Sequence, residues 1–227
     1  WGSSMPEHTE PFPRPEHLRP PAKERWSAVA TERVETETSS ALPFDTVLAH
    51  RRTIRKVSPT TKLNALSLVR DVFRLRGIVG ARGVGMRKAA ISAGALHPVD
   101  ALLISGPNVD GPIVYDDESD SFLTLSVEDD LGLGAWIASA SNVVPSARGH
   151  LLLLVGDASL VSSIYENAHS LLWRDGGAAL QTLSMTAMSR GLAFCPLGLL
   201  GDDALRAIAG DRRNAIAIGT AIIGRPG

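Results

Sequence analysis

Arg51-Arg52-Thr53-Ile54-Arg55 places three guanidinium groups and a hydroxyl within five positions of a chain whose formal net charge is only −1. Guanidinium groups grip phosphate oxygens in a two-pronged fork, and a hydroxyl adds a further hydrogen bond. In an extended segment alternate residues share a side, so Arg51, Thr53 and Arg55 would form one face toward an anion. The same run also suits a solvated helix end, where cations complement the helix dipole. A second stretch, Ser92-Ala93-Gly94-Ala95-Leu96-His97-Pro98, is nearly bare of side chains at its start. Such a loop suits a place where something flat or large comes close to the backbone. His97 reads first as a packed loop histidine and second as a catalytic one.

Other chemistries lose their anchors. The glycine-containing stretch GIVGARGVG has no following Lys-Ser/Thr and opens no helix after a strand, so neither phosphate-loop fingerprint applies. It reads as a surface connection in which Arg82, Arg87 and Lys88 could guide an anion. Cys195 is the single cysteine, which excludes an intrachain disulfide and a thiolate zinc site of its own. His150 and His169 lack ligand spacing, so no metal site is expected. No G-x-S-x-G is present to carry a hydrolase triad. Asp116, Asp117, Glu118 and Asp120 read as an exposed hairpin turn. Cys195-Pro196-Leu197-Gly198 reads either as a turn holding backbone amides near an apolar surface or as an ordinary strand exit.

The chain has 227 residues, 44% hydrophobic and 21% charged, which places it among globular proteins. Its near-neutral charge gives no footprint for nucleic acid or an anionic membrane. The longest apolar run, HLLLLVGDASLV, breaks at Asp157 and is too short to span a bilayer. With one cysteine and no basic, apolar leader pattern, a reducing, cytoplasmic setting is expected. Residues 1–42 form a Pro-rich, polar arm, with Trp1 to Ser4 ahead of Met5 a candidate non-native leader, and residues 43–227 form the folded domain. An ordered arm of this composition needs a surface to lie on, and a partner subunit is the expected one.

The elements that would position these residues follow from periodicity. PFDTVLAHRR predicts a short helix ending at the arginines, and TKLNALSLVRDVFRLRG a longer one with Leu63, Leu66, Val69 and Phe73 inward and Gly77 as its stop. VDALLIS predicts a strand, PIVYDDESDSFLTLS a hairpin, EDDLGLGAWIASA a helix, and GHLLLLVGD a buried strand. A long helix over roughly 170–190, a strand and turn at GLAFCPLG, a capped short helix at DDALRAIAG and a last strand at NAIAIGTAIIG complete an α+β chain with helices around a mixed sheet.

Taken in order, HRRTIRKVSP, GIVGARGVGMRKAAISAGALHPVDALLI, WRDGGAALQTLSMTAMSRGLAFCPLGLLGDDALRAIAG and AIIGRP resemble the flavin-dependent nitroreductase superfamily. More narrowly they resemble its azoline dehydrogenases, which oxidise thiazolines and oxazolines to azoles in peptide natural products. SAGALHP is the most specific string, and the resemblance spans residues 44–226. It implies a nitroreductase-like α+β fold, homodimeric, with FMN at the subunit interface. It assigns Arg51, Arg52, Thr53 and Arg55 to the FMN phosphate and ribityl chain, and Arg225 to the same phosphate. It lays Ser92, Ala93 and Gly94 along the flavin from the partner chain, with Pro196, Leu197 and Gly198 on the other side of the ring.

Azole formation also needs a base. The branch carries a Lys-Tyr pair before the long helix; here Tyr165 matches the tyrosine, and Ile164 stands in place of the lysine. If that segment is helical, His169 lies four residues on along the same face and could act alone or through Tyr165. The reading implied is an FMN oxidoreductase tailoring a peptide substrate, alone or with biosynthetic partner proteins. A catalytically degenerate scaffold in a biosynthetic complex and a general NAD(P)H nitro or quinone reductase are the alternatives.

Overall fold

A computed structural model of the chain describes residues 10–14, 22–34, 42–79, 85–210 and 214–227. In chain order the elements are β1 (Phe12–Pro13), β2 (Ala28–Glu32), α1 (Phe44–His50), β3 (Val57–Ser58), α2 (Lys62–Phe73), β4 (Gly77–Val79) and β5 (Gly85–Arg87). A single 3-10 turn, Ala93–Ala95, precedes β6 (Val99–Ser105), β7 (Ile113–Asp116), β8 (Ser121–Leu125), α3 (Asp130–Val143) and β9 (His150–Asp157). Then come α4 (Ala158–Ile164), β10 (Tyr165–Glu166), α5 (His169–Ser189), β11 (Ala193–Leu197), α6 (Asp202–Ala209) and β12 (Ala215–Pro226).

The most apolar run becomes the middle of the sheet. Side chains alternate along a strand, so β9 feeds two cores at once. Leu152 and Leu154 pack with α2 and α5 on one face. Leu151, Leu153 and Val155 pack with α3 and α6 on the other. Each such leucine contributes about 2 kcal/mol of burial. The main sheet runs β11-β12-β9-β6-β7-β8-β2, with β3 on the far end of β12. Helices cover both faces, and two small ribbons, β1–β10 and β4–β5, stand apart.

Capping sets several helix starts. Thr61 accepts from Asn64 N–H at 3.2 Å, Asp129 from Gly132 N–H at 2.9 Å, and Asp157 from Ser159 and Leu160 N–H at 3.0 and 3.1 Å. α5 crosses the sheet closely because Gly176 has no Cβ; one there would lie 2.3 Å from Ile218 Cγ2.

The α+β class with helices around a sheet holds, and particulars differ. Every strand pairing described is antiparallel, so the sheet is not mixed. α2 stops at Phe73, and Gly77 opens β4 of a hairpin where a loop is expected; Arg82 lies outside the described residues. Leu63 faces solvent, and the inner face of α2 broadens to Ala65, Leu66, Leu68, Val69, Val72 and Phe73. α6 is capped by Gly201 in the left-handed region, with no side-chain cap. α4 has no expected counterpart; seven residues are too few for periodicity to stand out.

The arm has a surface in its own chain. β2 extends the sheet beside β8, and β1 pairs with β10. Lys23 Nζ donates to Asp100 at 2.5 Å, and Trp26 Nε1 donates to the same carboxylate at 2.9 Å. No partner subunit is needed to seat these segments. The acidic turn is likewise more than an exposed tip. Asp117 pairs with the buried Lys88, Glu118 with Arg25, and Asp120 accepts from Arg70 and from the Tyr115 hydroxyl.

Candidate functional site

α1 ends where Arg51 N–H closes on the Val47 carbonyl at 2.8 Å and the chain turns extended. Ile54 then docks on the core below α3, its N–H donating to the Phe194 carbonyl at 3.3 Å. Anchoring Ile54 turns Arg51, Thr53 and Arg55 to the opposite side of an extended segment. Among the described residues no ion pair engages Arg51, Arg52 or Arg55, and Arg52, Thr53 and Arg55 are exposed. The solvated-end reading accounts for Arg52, which trails on the Ile54 side.

The C-terminal strand closes the same corner. Arg225 pairs with Ser58 across β3, and Gly227 N–H donates to the Lys56 carbonyl at 2.9 Å. Arg225 Nε donates to the Pro59 carbonyl at 3.0 Å. Pro196 and Leu197 end β11, the edge strand that Ile54 adjoins, and Gly198 follows it. Arg51 to Arg55 and Arg225 thus share one corner of the sheet, while the Pro196–Gly198 turn lies further along the same edge, Pro196 opposite Ala221 and Leu197 opposite Thr220. Cys195 in that strand is buried, which pushes its thiol up, and the Arg55 charge opposes this. It is a core side chain and no nucleophile.

The small-residue loop is built differently. Gly94 (φ 59), Ala95 (φ 55) and His97 (φ 50) are all left-handed. Two of these carry a Cβ, and such strain persists only where surroundings enforce it. Asp175 on α5 is the enforcer: it accepts from Ser92 Oγ at 2.5 Å and from Ala93 N–H at 3.1 Å. Ser92 Oγ in turn accepts from His97 N–H at 2.9 Å. His97 Nε2 donates to the Met86 carbonyl at 2.8 Å. Burial, aided by the Lys88 charge, lowers the His97 pKa to about 4, so the ring is neutral at pH 7. It is the packed loop histidine. A small pocket lined by Val72, Phe73, Ser92, His97 and Asp175 opens beside it.

Tyr165 reaches this loop. A Cβ on Gly94 would stand 2.8 Å from its hydroxyl, so the phenol lies over the glycine. His169 does not join it. Tyr165 ends α4 as part of β10, Asn167 takes a left-handed turn, and α5 begins at His169. The shared helical face expected for Tyr165 and His169 therefore does not exist. His169 is exposed, and its Nε2 accepts from Trp173 Nε1 at 2.9 Å.

The two groups of residues stand at opposite ends of the sheet. Pro98 accepts from Asp157 N–H at one end of β9, while His150 at the other end faces Ile223, two residues from Arg225. Seven strand steps between them span about 23 Å. The length of β9 thus lies between the strand ends nearest Arg225 and nearest the loop exit at Pro98. Residue-level reading missed Asp175, although an acid followed by Gly-Gly-Ala within a helix signals a close-packed carboxylate in need of donors. Among the described residues no cluster of His, Cys, Asp and Glu could hold a metal, and no helix is long and apolar enough to cross a membrane.

No protein-family model matches the chain, and no curated protein does. Solved structures share its fold. A nitroreductase-family protein from Ralstonia eutropha superposes with a TM-score of 0.64 at 15% identity, covering 96% of this chain and 99% of that one. The Escherichia coli microcin synthetase McbBCD complex, with truncated pro-MccB17 bound, gives 0.57 at 13%, covering 100% and 84%. A nitroreductase from Desulfovibrio desulfuricans, in complex with FMN, gives 0.53 at 16%, covering 82% and 87%. The fold is that of the nitroreductases.

Proposed function

We propose that the chain is an FMN-dependent oxidoreductase that works as a homodimer, each site assembled from two copies. The observation that carries this reading is the separation of the unpaired guanidinium groups from the small-residue loop, which a second, two-fold related copy resolves. Arg51, Thr53, Arg55 and Arg225 of one copy hold the phosphate and ribityl chain, with Arg52 at the solvent side. Ser92 to Gly94 of the other copy lie along the ring, and Pro196 to Gly198 close its opposite face. These residues fit the group. The cations have no competing carboxylates among the described residues, and Gly94 is exposed with the Tyr165 hydroxyl beside it. The outward Phe44 and Leu48 on α1, one turn apart beside the arginines, give a second copy an apolar surface to cover.

When bound, FMN supplies hydride acceptance or delivery; the protein supplies binding, orientation and a dry setting. The resemblance in SAGALHP and the fold shared with the microcin synthetase complex favour an azoline-bearing peptide as the substrate. Tyr165, with its hydroxyl over Gly94, is the group placed to hold or take a proton beside the ring. Ile164 supplies no cation to assist it, and this favours the second reading, a flavin-binding scaffold in a biosynthetic complex. The visible spectrum of the purified protein tests the cofactor. Reduction of bound flavin by an azoline peptide, abolished in Tyr165→Phe, supports the dehydrogenase. Bound flavin that no such peptide reduces supports the scaffold, and reduction by NADH and nitroaromatics alone supports a general reductase. Protein that takes up no FMN on reconstitution overturns all flavin readings.

A further inference from the structure

We infer that Asp175, acting through Ser92, is the positioning residue that fixes the flavin-facing loop, and that the Ser92 hydroxyl serves as a brace and not as a ligand contact. The inference rests on the FMN reading above and goes further by saying which residues give the loop its shape. Asp175 is buried on α5, opposite the loop, and both its carboxylate oxygens are engaged there: Oδ2 by Ser92 Oγ–H and Oδ1 by Ala93 N–H. Ser92 Oγ is committed on both sides, donating its hydrogen to Asp175 and accepting from His97 N–H. No hydroxyl hydrogen remains for a ligand.

The braced stretch is the one that needs bracing. Left-handed Ala95 and His97 sit inside it, and His97 precedes a proline, where the backbone otherwise favours extended geometry. Without the carboxylate, the loop would relax toward ordinary φ values, moving Gly94 from under the Tyr165 hydroxyl. The carboxylate is held less acidic than usual by burial, while the Ser92 and Ala93 donors and the Arg174 charge oppose that.

Two readings on the full-length protein test this: amide exchange at Ala93 without cofactor, and FMN affinity by titration. Asp175→Asn is expected to speed Ala93 exchange and weaken FMN, each by about tenfold or more, since a charge-assisted bond is lost. Amides of β9 should keep their protection. Ser92→Ala should weaken FMN in the same direction, and Ser92→Thr, which restores the hydroxyl, should recover it. If Asp175→Asn fails to fold, the Ser92 pair decides alone, because the carboxylate and its Ala93 bond stay in place. FMN affinity unchanged in a variant whose loop has loosened, or Ala93 protection unchanged in Asp175→Asn, overturns the inference while leaving the FMN reading intact. A Ser92→Ala variant that binds as the wild type does, or a Ser92→Thr variant that fails to recover, also overturns it. Wild-type protein that binds no FMN overturns the cofactor reading itself, and the loop role with it.

Discussion

Single side chains divide here into those held for a ligand and those held by the fold. In the proposed site Arg51 and Arg225 belong to the first group. Replacing either with Ala is expected to weaken FMN binding by about 1.5–3 kcal/mol, a ten- to hundredfold rise in dissociation constant measurable by flavin titration. His97 belongs to the second. Above pH 6.5 its ring is neutral whether the chain is folded or unfolded, and it adds no pH dependence. Between 6.5 and about 4 the unfolded chain takes up a proton that the buried ring refuses, so stability falls through that window. The buried His150, also lowered by desolvation, acts in the same direction. Urea midpoints should therefore drop from pH 7 to pH 5, and His97→Asn, which tolerates a left-handed backbone, should make the drop shallower. An unchanged slope would show that His97 is protonated in the folded chain. The arginines were legible in the sequence because their chemistry is written in adjacent positions. Asp175 was not, because the groups that explain it lie 83 and 82 residues away.

Elements were legible where pattern and length agreed. β9 declared itself by an unbroken apolar run, and α2, β6, α3 and α6 by period and flanking turn residues. The short pieces did not. β2 is short and exposed along most of its length, as an edge strand can be, and its pairing with β8 makes it a strand. The segment from Tyr165 to His169, which would share a face only as a helix, is broken by a left-handed Asn167. The arm is the larger lesson: polar composition suggested a free or partner-bound segment, yet Lys23 and Trp26 both engage Asp100 on β6. Lys23→Ala strips a mostly buried carboxylate of its cation and is expected to cost about 3 kcal/mol of folding stability, read as a lower denaturant midpoint. A midpoint equal to wild type would mean that the arm rests on the sheet without supporting it.

At the scale of the molecule, the fold is shared with nitroreductases and with the microcin synthetase complex at identities of 13–16%, so the architecture is constrained far more tightly than the residues. The proposed dimer should bury more than about 2,000 Å² and persist at micromolar concentration in light scattering. In the proposed reading it brings the arginine corner of one copy to the loop of the other. Complementation between two defective variants tests that directly. One variant carries Arg51→Ala and Arg55→Ala; the other carries Gly94→Val, which puts a branched side chain at a left-handed position under the Tyr165 hydroxyl. Each alone should bind little FMN. Co-expressed, they should form mixed dimers in which one site has both an intact corner and an intact loop, restoring about one FMN per four chains on random pairing. If the mixture binds no more FMN than the two variants do separately, while forming mixed dimers, corner and loop do not meet across the interface, and the shared site is refuted.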